Sequence, residues 1–307
     1  MNLLVTGAWQ CTEEQLNELK AMGHKVCFMQ YEKDEMPCAY EWVEGIICNG
    51  LFLYHKIEKF VNLKYIQLTS AGYDRVPMDY VKEHGIEIHN ARGVYSIPMA
   101  EFAVCGVLQL YKQSRFFYEN QKQHKWEKHR GLLELNGKTV LIAGCGSVGT
   151  ECAKRFGAFG CNVIGVDLLS REDSYYSKIV EFNALNKLIT EADIIVLTVP
   201  LTGNTYHLMN RERISLLKKT AVVVNISRGA VVDTDALVEW LSRNPESSAV
   251  LDVFEDEPLS EENPLWKLSN VIITPHNSFV GDENRNKLFE LILNFLRNKD
   301  ENSCSFT

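Results

Sequence analysis

The sequence predicts an α/β protein that consists of two doubly wound parallel-sheet domains. Along most of the 307 residues, short apolar runs alternate with helical patterns, which is the order expected of parallel strands connected by helices. The runs form two series, and a long apolar segment separates them. With 46% hydrophobic and 23% charged residues, the chain has enough apolar side chains for two separate cores.

The first series supplies candidate strands and two candidate helices, and the second series, which begins near Lys138, supplies further strands. The first-series strands are Leu3–Thr6, Lys25–Met29, Gly45–Cys48, Tyr65–Leu68 and Ile86–His89, with helices at Thr12–Met22 and Met78–His84. The second-series strands are Thr139–Ala143, Asn162–Asp167, Ile194–Val199, Ala221–Ile226, Ala249–Val253 and Val271–Thr274.

The segment between the two series predicts a bridging helix. Pro98–Gln123 is apolar on one face, and the polar stretch Lys125–Gly131 that follows it reads as a connector. Near the C-terminus, Asn284–Asn298 has apolar residues at helical spacing, and we expect it to return to the first domain. Its apolar positions are Leu288, Phe289, Leu291, Ile292 and Phe295. The expected domains are residues 1–97 plus 281–307, and residues 98–280.

Composition argues against several classes of partner. The formal net charge is −8 and Lys and Arg form no block, whereas nucleic acids and anionic membranes attract proteins of the opposite charge. No run approaches the roughly 18 apolar residues of a spanning helix, and the N-terminus lacks the parts of a signal peptide. The nine cysteines are scattered without metal-ligand spacing, so we expect reduced thiols, no bound metal and a cytoplasmic protein.

A glycine motif opens the second series. Its first strand runs into Gly-x-Gly-x-x-Gly and then into a helical pattern that continues to about Phe159. In such a motif Gly144 permits a tight turn, Gly146 lets the backbone approach a pyrophosphate, and Gly149 lets the helix pack against the strand. The helix N-terminus at Ser147 and Val148 then offers backbone N–H groups to the phosphates. The motif therefore predicts a dinucleotide site.

An acidic residue ends the next strand at the distance that a dinucleotide site requires. Asp167 lies 18 residues beyond Gly149, where a carboxylate accepts hydrogen bonds from a ribose 2′-hydroxyl and repels a 2′-phosphate. This favours NAD over NADP. A structural turn without cofactor is the alternative, and redox control through Cys145 is a further one, but the strand, helix and acid agree on the dinucleotide interpretation.

Three further segments narrow the prediction to one family. They are Asn225–Gly229, Leu251–Leu259 and Thr274–Asn277. With the glycine motif they resemble the D-isomer-specific 2-hydroxyacid dehydrogenase family, in its short, phosphoglycerate or glycerate dehydrogenase-like form. The resemblance extends through Pro200–Thr205, Ser70–Asp74, Asn90–Gly93 and Ala100–Glu101. It implies a flavodoxin-like substrate domain, a Rossmann NAD-binding domain, and hydride transfer between NAD and the 2-carbon of a small 2-hydroxy or 2-oxo acid.

The catalytic residues that the resemblance implies have suitable chemistry. Arg228 offers a planar fork of donors to a carboxylate, and His276 can donate a proton to a carbonyl oxygen or accept it in reverse. Glu257 would orient the imidazole. Spacing alone leaves Glu255 and Asp256 open for that role, and the resemblance selects Glu257. Taken singly, these residues also fit a surface salt bridge, a solvated acidic turn and a loop histidine.

The resemblance also assigns contacts to cofactor and substrate. It implies that Asp252 binds the nicotinamide carboxamide and that backbone N–H groups around Ser70, Ala71 and Gly72 bind the substrate carboxylate, together with Arg228. The full set of expected cofactor contacts is Gly144, Gly146, Ser147, Val148, Gly149, Asp167, Pro200, Thr205, Ile226, Ser227, Arg228, Asp252 and His276.

The sequence says less about which 2-oxo or 2-hydroxy acid is the substrate. The loop Asn49–Tyr54 carries no Arg or Lys before Lys56, unlike relatives that resemble phosphoglycerate dehydrogenases, and this disfavours a phosphorylated substrate. Phe52 and Tyr54 would either line an apolar pocket or belong to the core. Phosphate recognition stays open because other basic residues are present, namely Arg75, Arg92 and Lys128–Arg130.

Assembly and regulation are expected to follow the short members of the family. The resemblance implies a homodimer packed through Pro98–Gln123, unless that helix is buried within one subunit, and no C-terminal regulatory domain is expected. An NAD-sensing corepressor on the same fold and a Rossmann methyltransferase are the rival functions. A sensor needs no proton donor and a methyltransferase needs neither Arg228 nor His276, so the dehydrogenase interpretation is preferred.

Overall fold

The chain forms two compact parallel-sheet units. A computed structural model describes the backbone of residues 1–304 and the side chains of residues 1–297. The first unit comprises Met1–Tyr95 and the C-terminal segment from Gly281, and the second unit is Ser96–Val280. They contain a five-stranded and a seven-stranded sheet, and every strand pair in them is parallel. The predicted fold class is therefore confirmed.

Strands and helices alternate along much of the chain, but β2, β3 and β4 follow one another with no α-helix between them, and so do β7 and β8, and β11 and β12. The strands are β1 Asn2–Thr6, β2 Lys25–Met29, β3 Gly45–Cys48, β4 Tyr65–Leu68, β5 Glu87–His89, β6 Thr139–Ala143, β7 Asn162–Asp167, β8 Lys178–Glu181, β9 Ile194–Leu197, β10 Val222–Asn225, β11 Ser248–Leu251 and β12 Val271–Ile273. The helices are α1 Glu13–Ala21, α2 Met78–Glu83, α3 Ser96–Tyr111, α4 Ser114–Lys122, α5 Ser147–Ala158, α6 Leu185–Glu191, α7 Arg211–Ser215, α8 Thr234–Arg243 and α9 Asn284–Cys304.

The first unit has the strand order β2-β1-β3-β4-β5, which is the flavodoxin-like order. Strands β3 and β4 are buried along their whole length, as expected for parallel strands covered on both faces. Helix α9 covers one face, where Leu288 and Ile292 pack with Leu3 and Ile47. This order makes the chain change direction between β1 and β3, so the loops after these two strands diverge at the carboxyl edge of the sheet.

The second unit has the strand order β8-β7-β6-β9-β10-β11-β12, which is the doubly wound Rossmann order with one added strand. Alternate residues of its central strands enter two separate cores, Leu141 and Val223 on one face and Val140 and Val224 on the other. Helix α3 packs closely on β11, because a Cβ built on Gly106 would lie 2.6 Å from Val250 Cγ1. Because the strands of this sheet are parallel, the carboxyl ends of β6, β7, β9, β10 and β11 lie at the same edge.

One sequence prediction of secondary structure is wrong, and one strand was missed. Pro98–Gln123 is not one helix but α3 and α4, and the break at Gln113 has a left-handed φ of 53°. The buried face of α3 ends at Tyr111, so the polar residues that follow have no core to hold them in the same helix. Strand β8 was not predicted, because at this sheet edge only Ile179 of its four residues is buried and the alternation is too weak to detect.

Several other segments have the structure expected of them. Lys125–Gly131 forms neither helix nor strand, and α9 begins at Asn284 as predicted but continues beyond Asn298. Of the two aromatic residues whose role stayed open, Phe52 packs against the core beside Phe60, whereas Tyr54 is 59% exposed. The core alternative is therefore the one that fits Phe52.

Two kinds of feature are not found in the part of the chain that the structure describes. No helix there is long and apolar enough to cross a membrane. The same residues contain no group of three or more His, Cys, Asp or Glu side chains that could hold a metal ion.

Candidate active site

The glycine turn after β6 depends on the absence of side chains at two positions. Gly144 has a φ of +95°, and a Cβ there would lie 2.9 Å from the backbone of Thr198 and Val199. A Cβ on Gly149 would lie 2.1 Å from the carbonyl oxygen of Gly144. Since neither position tolerates a Cβ, the strand, turn and helix α5 pack as a dinucleotide motif requires.

The middle glycine of the turn leaves room for a ligand instead. No atom lies within 4 Å of the position that a Cβ on Gly146 would take. Gly146 is also the N-cap of α5 and has no side chain to accept hydrogen bonds from the first turn of the helix. An open space beside the positive end of a twelve-residue helix fits a pyrophosphate. The chain's own residues therefore fit a dinucleotide at this place.

Asp167 ends β7 beside this turn, as predicted. Its Oδ1 accepts a hydrogen bond from Leu168 N at 2.8 Å, and its Oδ2 accepts from Cys145 N at 3.3 Å and Arg171 Nη1 at 3.0 Å. Because a carboxylate offers about four acceptor positions, one remains on Oδ1 for a ribose hydroxyl. Arg171, which also donates to the carbonyl oxygen of Cys145, was missed by the sequence interpretation. In the sequence, the only indication of this contact is that Arg171 is a basic residue four positions after Asp167.

The loop after β9 is held by a side chain that was expected to contact the cofactor. Thr205 Oγ1 donates a hydrogen bond to the carbonyl oxygen of Pro200 at 2.6 Å and accepts one from Thr202 N at 2.8 Å. These bonds close the turn, so the hydroxyl of Thr205 shapes the loop at the carboxyl edge of the sheet.

The loop after β10 carries Ile226, Ser227 and Arg228. The buried side chain of Asn225 orders it, because Asn225 Oδ1 accepts from Ser227 N at 3.1 Å and Asn225 Nδ2 donates to the Arg228 carbonyl oxygen at 3.0 Å. Ile226 is buried beneath the loop, and Arg228 is half-buried with Nη1 donating to the Ser227 carbonyl oxygen at 2.8 Å. Asn225 was not among the expected site residues; its signal was an amide at the end of an apolar strand.

Gly229 fixes the distance between two functional loops. A Cβ on Gly229 would lie 1.8 Å from the carbonyl carbon of Phe254 and 2.3 Å from Glu255 N. The backbone that follows Arg228 therefore contacts the backbone that precedes Glu257, and no other residue type fits between them.

Glu257 and His276 form a hydrogen-bonded pair. Glu257 Oε2 lies 2.8 Å from His276 Nδ1, and Glu257 Oε1 accepts from Phe254 N at 3.0 Å. A carboxylate only accepts, so the proton lies on Nδ1 and Nε2 points away from the pair. Within residues 1–297, Nε2 has no hydrogen-bond partner. Of the three acids that spacing left open, Glu257 is the one that contacts the imidazole, whereas Glu255 contacts His207 at 3.0 Å.

Asp252 holds the loop that carries His276. Its fully buried carboxylate accepts from Thr274 Oγ1 at 2.7 Å, Asn277 N at 2.8 Å and Ser278 N at 2.9 Å. The backbone N–H of His276 donates to the Asp252 carbonyl oxygen at 2.7 Å, and His276 has a left-handed φ of 52°. These bonds stabilise a conformation that few residues other than glycine adopt. One acceptor position remains on Oδ2, and the expected contact with the nicotinamide carboxamide stays a prediction.

The loop after β4 in the first unit exposes two backbone donors. The carbonyl oxygen of Ser70 accepts from Ala91 N at 2.9 Å, and that of Ala71 accepts from Asn90 Nδ2 at 2.7 Å. Ser70 Oγ donates to the carbonyl oxygen of Gly72 at 3.2 Å. The N–H groups of Ala71 and Gly72 have no acceptor among the described residues, so they suit an anionic ligand group.

The second unit matches a known family. Residues 104–278 match the model described as D-isomer specific 2-hydroxyacid dehydrogenase, NAD binding domain. A glyoxylate reductase from Thermofilum pendens is 36% identical over 236 residues, which are 75% of this chain and 70% of that relative. A D-3-phosphoglycerate dehydrogenase from Methanocaldococcus jannaschii is 38% identical over 229 residues, which are 74% of this chain but only 44% of that longer relative.

Both units together resemble a solved structure of this kind. The D-lactate dehydrogenase of Aquifex aeolicus, solved with NAD and lactic acid, has a TM-score of 0.80 and 28% sequence identity. The match covers 99% of this chain and 97% of that one. The resemblance predicted from the motifs is thus confirmed, and the second unit is an NAD-binding domain. The chain belongs to the D-isomer specific 2-hydroxyacid dehydrogenase family and is an NAD(P)-dependent oxidoreductase.

Proposed function

We propose that this chain transfers a hydride between NAD(H) and the 2-carbon of a small 2-hydroxy or 2-oxo acid, with His276 as acid and base. The contact between Glu257 and His276 Nδ1 carries the proposal, because it leaves Nε2 directed away from the pair. An imidazole held in one tautomer by a carboxylate suits proton transfer at neutral pH. An NAD-sensing binding protein, the alternative, would not need this pair.

The residues at the glycine turn would hold the cofactor. The backbone at Gly146, Ser147 and Val148 would bind the pyrophosphate, and Asp167 would bind the adenosine ribose. When bound, reduced NAD supplies a hydride to C2 of the substrate. The remaining expected contacts with the cofactor come from Pro200, Thr205, Ile226, Ser227, Arg228, Asp252 and His276.

The chain's own side chains would do the rest of the chemistry. Arg228 would grip the substrate carboxylate with two parallel N–H groups and polarise the adjacent carbonyl. In the first unit, the N–H groups of Ala71 and Gly72, which have no acceptor among the described residues, would bind a carboxylate. In reduction, His276 Nε2 donates a proton to the carbonyl oxygen as it becomes a hydroxyl, and in oxidation Nε2 accepts that proton. The carboxylate of Glu257 offsets the positive charge that the imidazole carries before donation.

Turnover of 2-oxo acids tests the proposal directly. NADH oxidation would be followed by its loss of absorbance with glyoxylate, hydroxypyruvate, pyruvate, branched and aromatic 2-oxo acids, and 3-phosphohydroxypyruvate. We expect turnover that is concentrated on one or a few small members. Tight NADH binding without turnover of any member would instead support the sensor.

Asp167 would set the preference for NADH over NADPH. Replacing Asp167 with Ala removes the acceptor for the ribose hydroxyl and also releases Arg171, which would then pair with a 2′-phosphate. The ratio of kcat/KM for NADH to that for NADPH should fall by about tenfold or more. Arg171→Ala is the matched control, since it keeps the carboxylate. An unchanged ratio in Asp167→Ala would remove Asp167 from the ribose site.

The surface of α4 suggests that the chain forms a homodimer. Helix α3 buries Ala103 and Val107 within its own unit, whereas Phe117 and Tyr118 of α4 are 39% and 58% exposed and Trp126 is 99% exposed. Exposed aromatic residues are enriched at protein interfaces. Sedimentation should give about twice the 35.0 kDa of one chain, and a species of 35.0 kDa alone at micromolar concentration would contradict the dimer.

A further inference from the structure

Glu32 lies at the carboxyl edge of the first unit's sheet, between the ends of β1 and β3. Its Oε1 accepts from Thr6 Oγ1 at 2.8 Å and from Asn49 N at 2.7 Å, and its Oε2 accepts from Gly50 N at 2.7 Å. Thr6 is the last residue of β1, and Asn49 follows the last residue of β3. The carboxylate therefore spans the place where the sheet reverses direction, at which α/β proteins bind ligands.

The backbone of Glu32 is held as firmly as its side chain. His55 Nε2 lies 3.0 Å from the Glu32 carbonyl oxygen, and Tyr40 Oη lies 2.9 Å from His55 Nδ1. Since a carbonyl oxygen only accepts, Nε2 carries the proton and Nδ1 accepts the tyrosine hydroxyl. His55 is only 8% exposed, so this chain of bonds anchors Glu32 from within the protein.

The loops that meet at Glu32 adjoin the loop proposed to bind the substrate carboxylate. Cys48 of β3 is paired with Leu68 of β4, and Thr69 N donates to the Cys48 carbonyl oxygen at 2.8 Å. Adjacent strands are about 4.8 Å apart. The loop with Gly50 and the loop with the N–H donors of residues 71–72 therefore begin at neighbouring strand ends. The side chain of Arg75, which follows β4, lies close to the loop after β3. A Cβ on Gly50 would lie 3.5 Å from Arg75 Cδ and 3.5 Å from Glu32 Oε2.

We propose that Glu32 determines the specificity of the proposed dehydrogenase for the C3 end of its substrate. It favours a small 2-oxo acid with an uncharged hydroxyl at C3 and disfavours one with a phosphate there. The proposal rests on the proposed function, in which the substrate carboxylate binds beside Ala71 and Gly72.

Charge and hydrogen bonding both support this role. The two backbone N–H groups after β3 and the hydroxyl of Thr6 would suit a phosphate, but the protein's own carboxylate already occupies all three donors. A phosphate nearby would be repelled by the negative charge of Glu32. Three of the roughly four acceptor positions of the carboxylate are used, so one on Oε2 remains for a hydroxyl donor.

The test compares kcat/KM for hydroxypyruvate and 3-phosphohydroxypyruvate in the full chain. We expect the wild type to prefer hydroxypyruvate, and Glu32→Gln to raise the ratio of phosphorylated to unphosphorylated kcat/KM by about tenfold, since it removes the repelling charge. Glu35→Gln is the matched control, because Glu35 is an exposed acid in the same segment, and it should leave the ratio unchanged.

A salt titration of the wild type supplies a second measurement that needs no variant. Raising NaCl from about 0.01 M to about 1 M shortens the Debye length from about 30 Å to about 3 Å. Screening of repulsion should raise the phosphorylated to unphosphorylated ratio, whereas screening of a phosphate bound by Arg75 would lower it. The salt result decides the matter if Glu32→Gln does not fold.

The outcomes separate this inference from the proposed function. Turnover of both substrates with less than a threefold change of the ratio in Glu32→Gln, or a wild-type preference for the phosphorylated acid, overturns the role of Glu32 alone. No turnover of any 2-oxo acid by the wild type overturns the proposed function and this inference together.

Discussion

The second unit contains two His–Glu pairs that have similar geometry but differ in which ring nitrogen the acid contacts. His276 and Glu257 are 2.8 Å apart, and His207 and Glu255 are 3.0 Å apart. The side chains are similarly exposed, 38% and 37% in the first pair and 28% and 31% in the second. Both histidines have a left-handed φ, 52° at His276 and 47° at His207. Distance, exposure and backbone strain therefore do not tell the two pairs apart.

The nitrogen that each ring uses does distinguish them. His276 contacts Glu257 through Nδ1, so its outer nitrogen, Nε2, is available for a substrate. His207 contacts Glu255 through Nε2, so only Nδ1, the nitrogen nearer its own backbone, is not used in the pair. His207 also lies flat against Tyr206, with ring centroids 4.1 Å apart. The second pair thus connects two loops, and the first can perform proton transfer. Orientation of the ring, more than proximity to an acid, is therefore the reason to propose His276 and not His207 as the acid and base.

The largest expected difference between the pairs is in turnover. His276→Ala should lower kcat by about 10²–10⁴-fold, because the proton donor is lost, while NADH binding stays near normal. His207→Ala, the matched variant, should lower kcat by less than about tenfold, because it removes no reacting group. Steady-state kinetics with the best 2-oxo acid and NADH fluorescence titration measure the two effects. Equal losses in both variants would erase the distinction between the pairs.

A smaller difference should separate the two acids. Glu257→Gln keeps the shape of the side chain but loses the charge that orients the imidazole, and kcat should fall by roughly 10–10²-fold with little change in KM. Glu255→Gln should change kcat by less than about threefold. A loss in Glu255→Gln as large as in Glu257→Gln would show that the loop as a whole, and not one carboxylate, supports His276.

The smallest effect is on stability and appears in the second pair. Burial raises the pKa of Glu255, but hydrogen bonds from His207 and Thr234 outweigh burial, and the pKa lies below its usual value. A lowered pKa means that the carboxylate stabilises the fold above the unfolded pKa of about 4.3 and that this contribution is lost as pH falls through the folded pKa.

Chemical denaturation across pH measures that contribution. Glu255→Gln should lower the free energy of unfolding by about 0.5–1 kcal/mol at neutral pH, and the gap from the wild type should close in acid. A gap that is constant with pH would mean that the loss comes from packing alone.

Most of the fold was predictable because parallel strands buried on both faces are short apolar runs. Strands β2, β3, β4, β6 and β7 were predicted with the bounds that the structure has, and the other predicted strands differ by a residue or two at one or both ends. Strand β8 was not predicted because it lies at the edge of the sheet, where only one of its four residues is buried. The break at Gln113 escaped because it follows from where the core ends, which tertiary structure decides.

For the proposed site, the sequence could name candidate reacting groups, and it said less about the residues that hold them in place. Arg228, Glu257 and His276 could be named from motifs, yet spacing could not choose among Glu255, Asp256 and Glu257, because adjacent residues of one loop differ only in direction. Asn225 and Arg171 were missed because their contacts join positions that are not periodic in sequence. A hydrogen bond of that kind is visible only once the backbone is folded.

Gly229 has a consequence for how proteins of this type diversify. Its backbone contact with Phe254 locks the segments of Arg228 and Glu257 into one rigid piece. Substitutions in that piece would therefore disturb the proposed binding by Arg228 and the proposed proton transfer together, so it has little freedom to vary. The edge around Glu32 is built on a separate sheet and carries none of the proposed reacting groups. With the role proposed for Glu32, a single substitution at that edge would change the substrate preference and leave the proposed reacting groups unaltered.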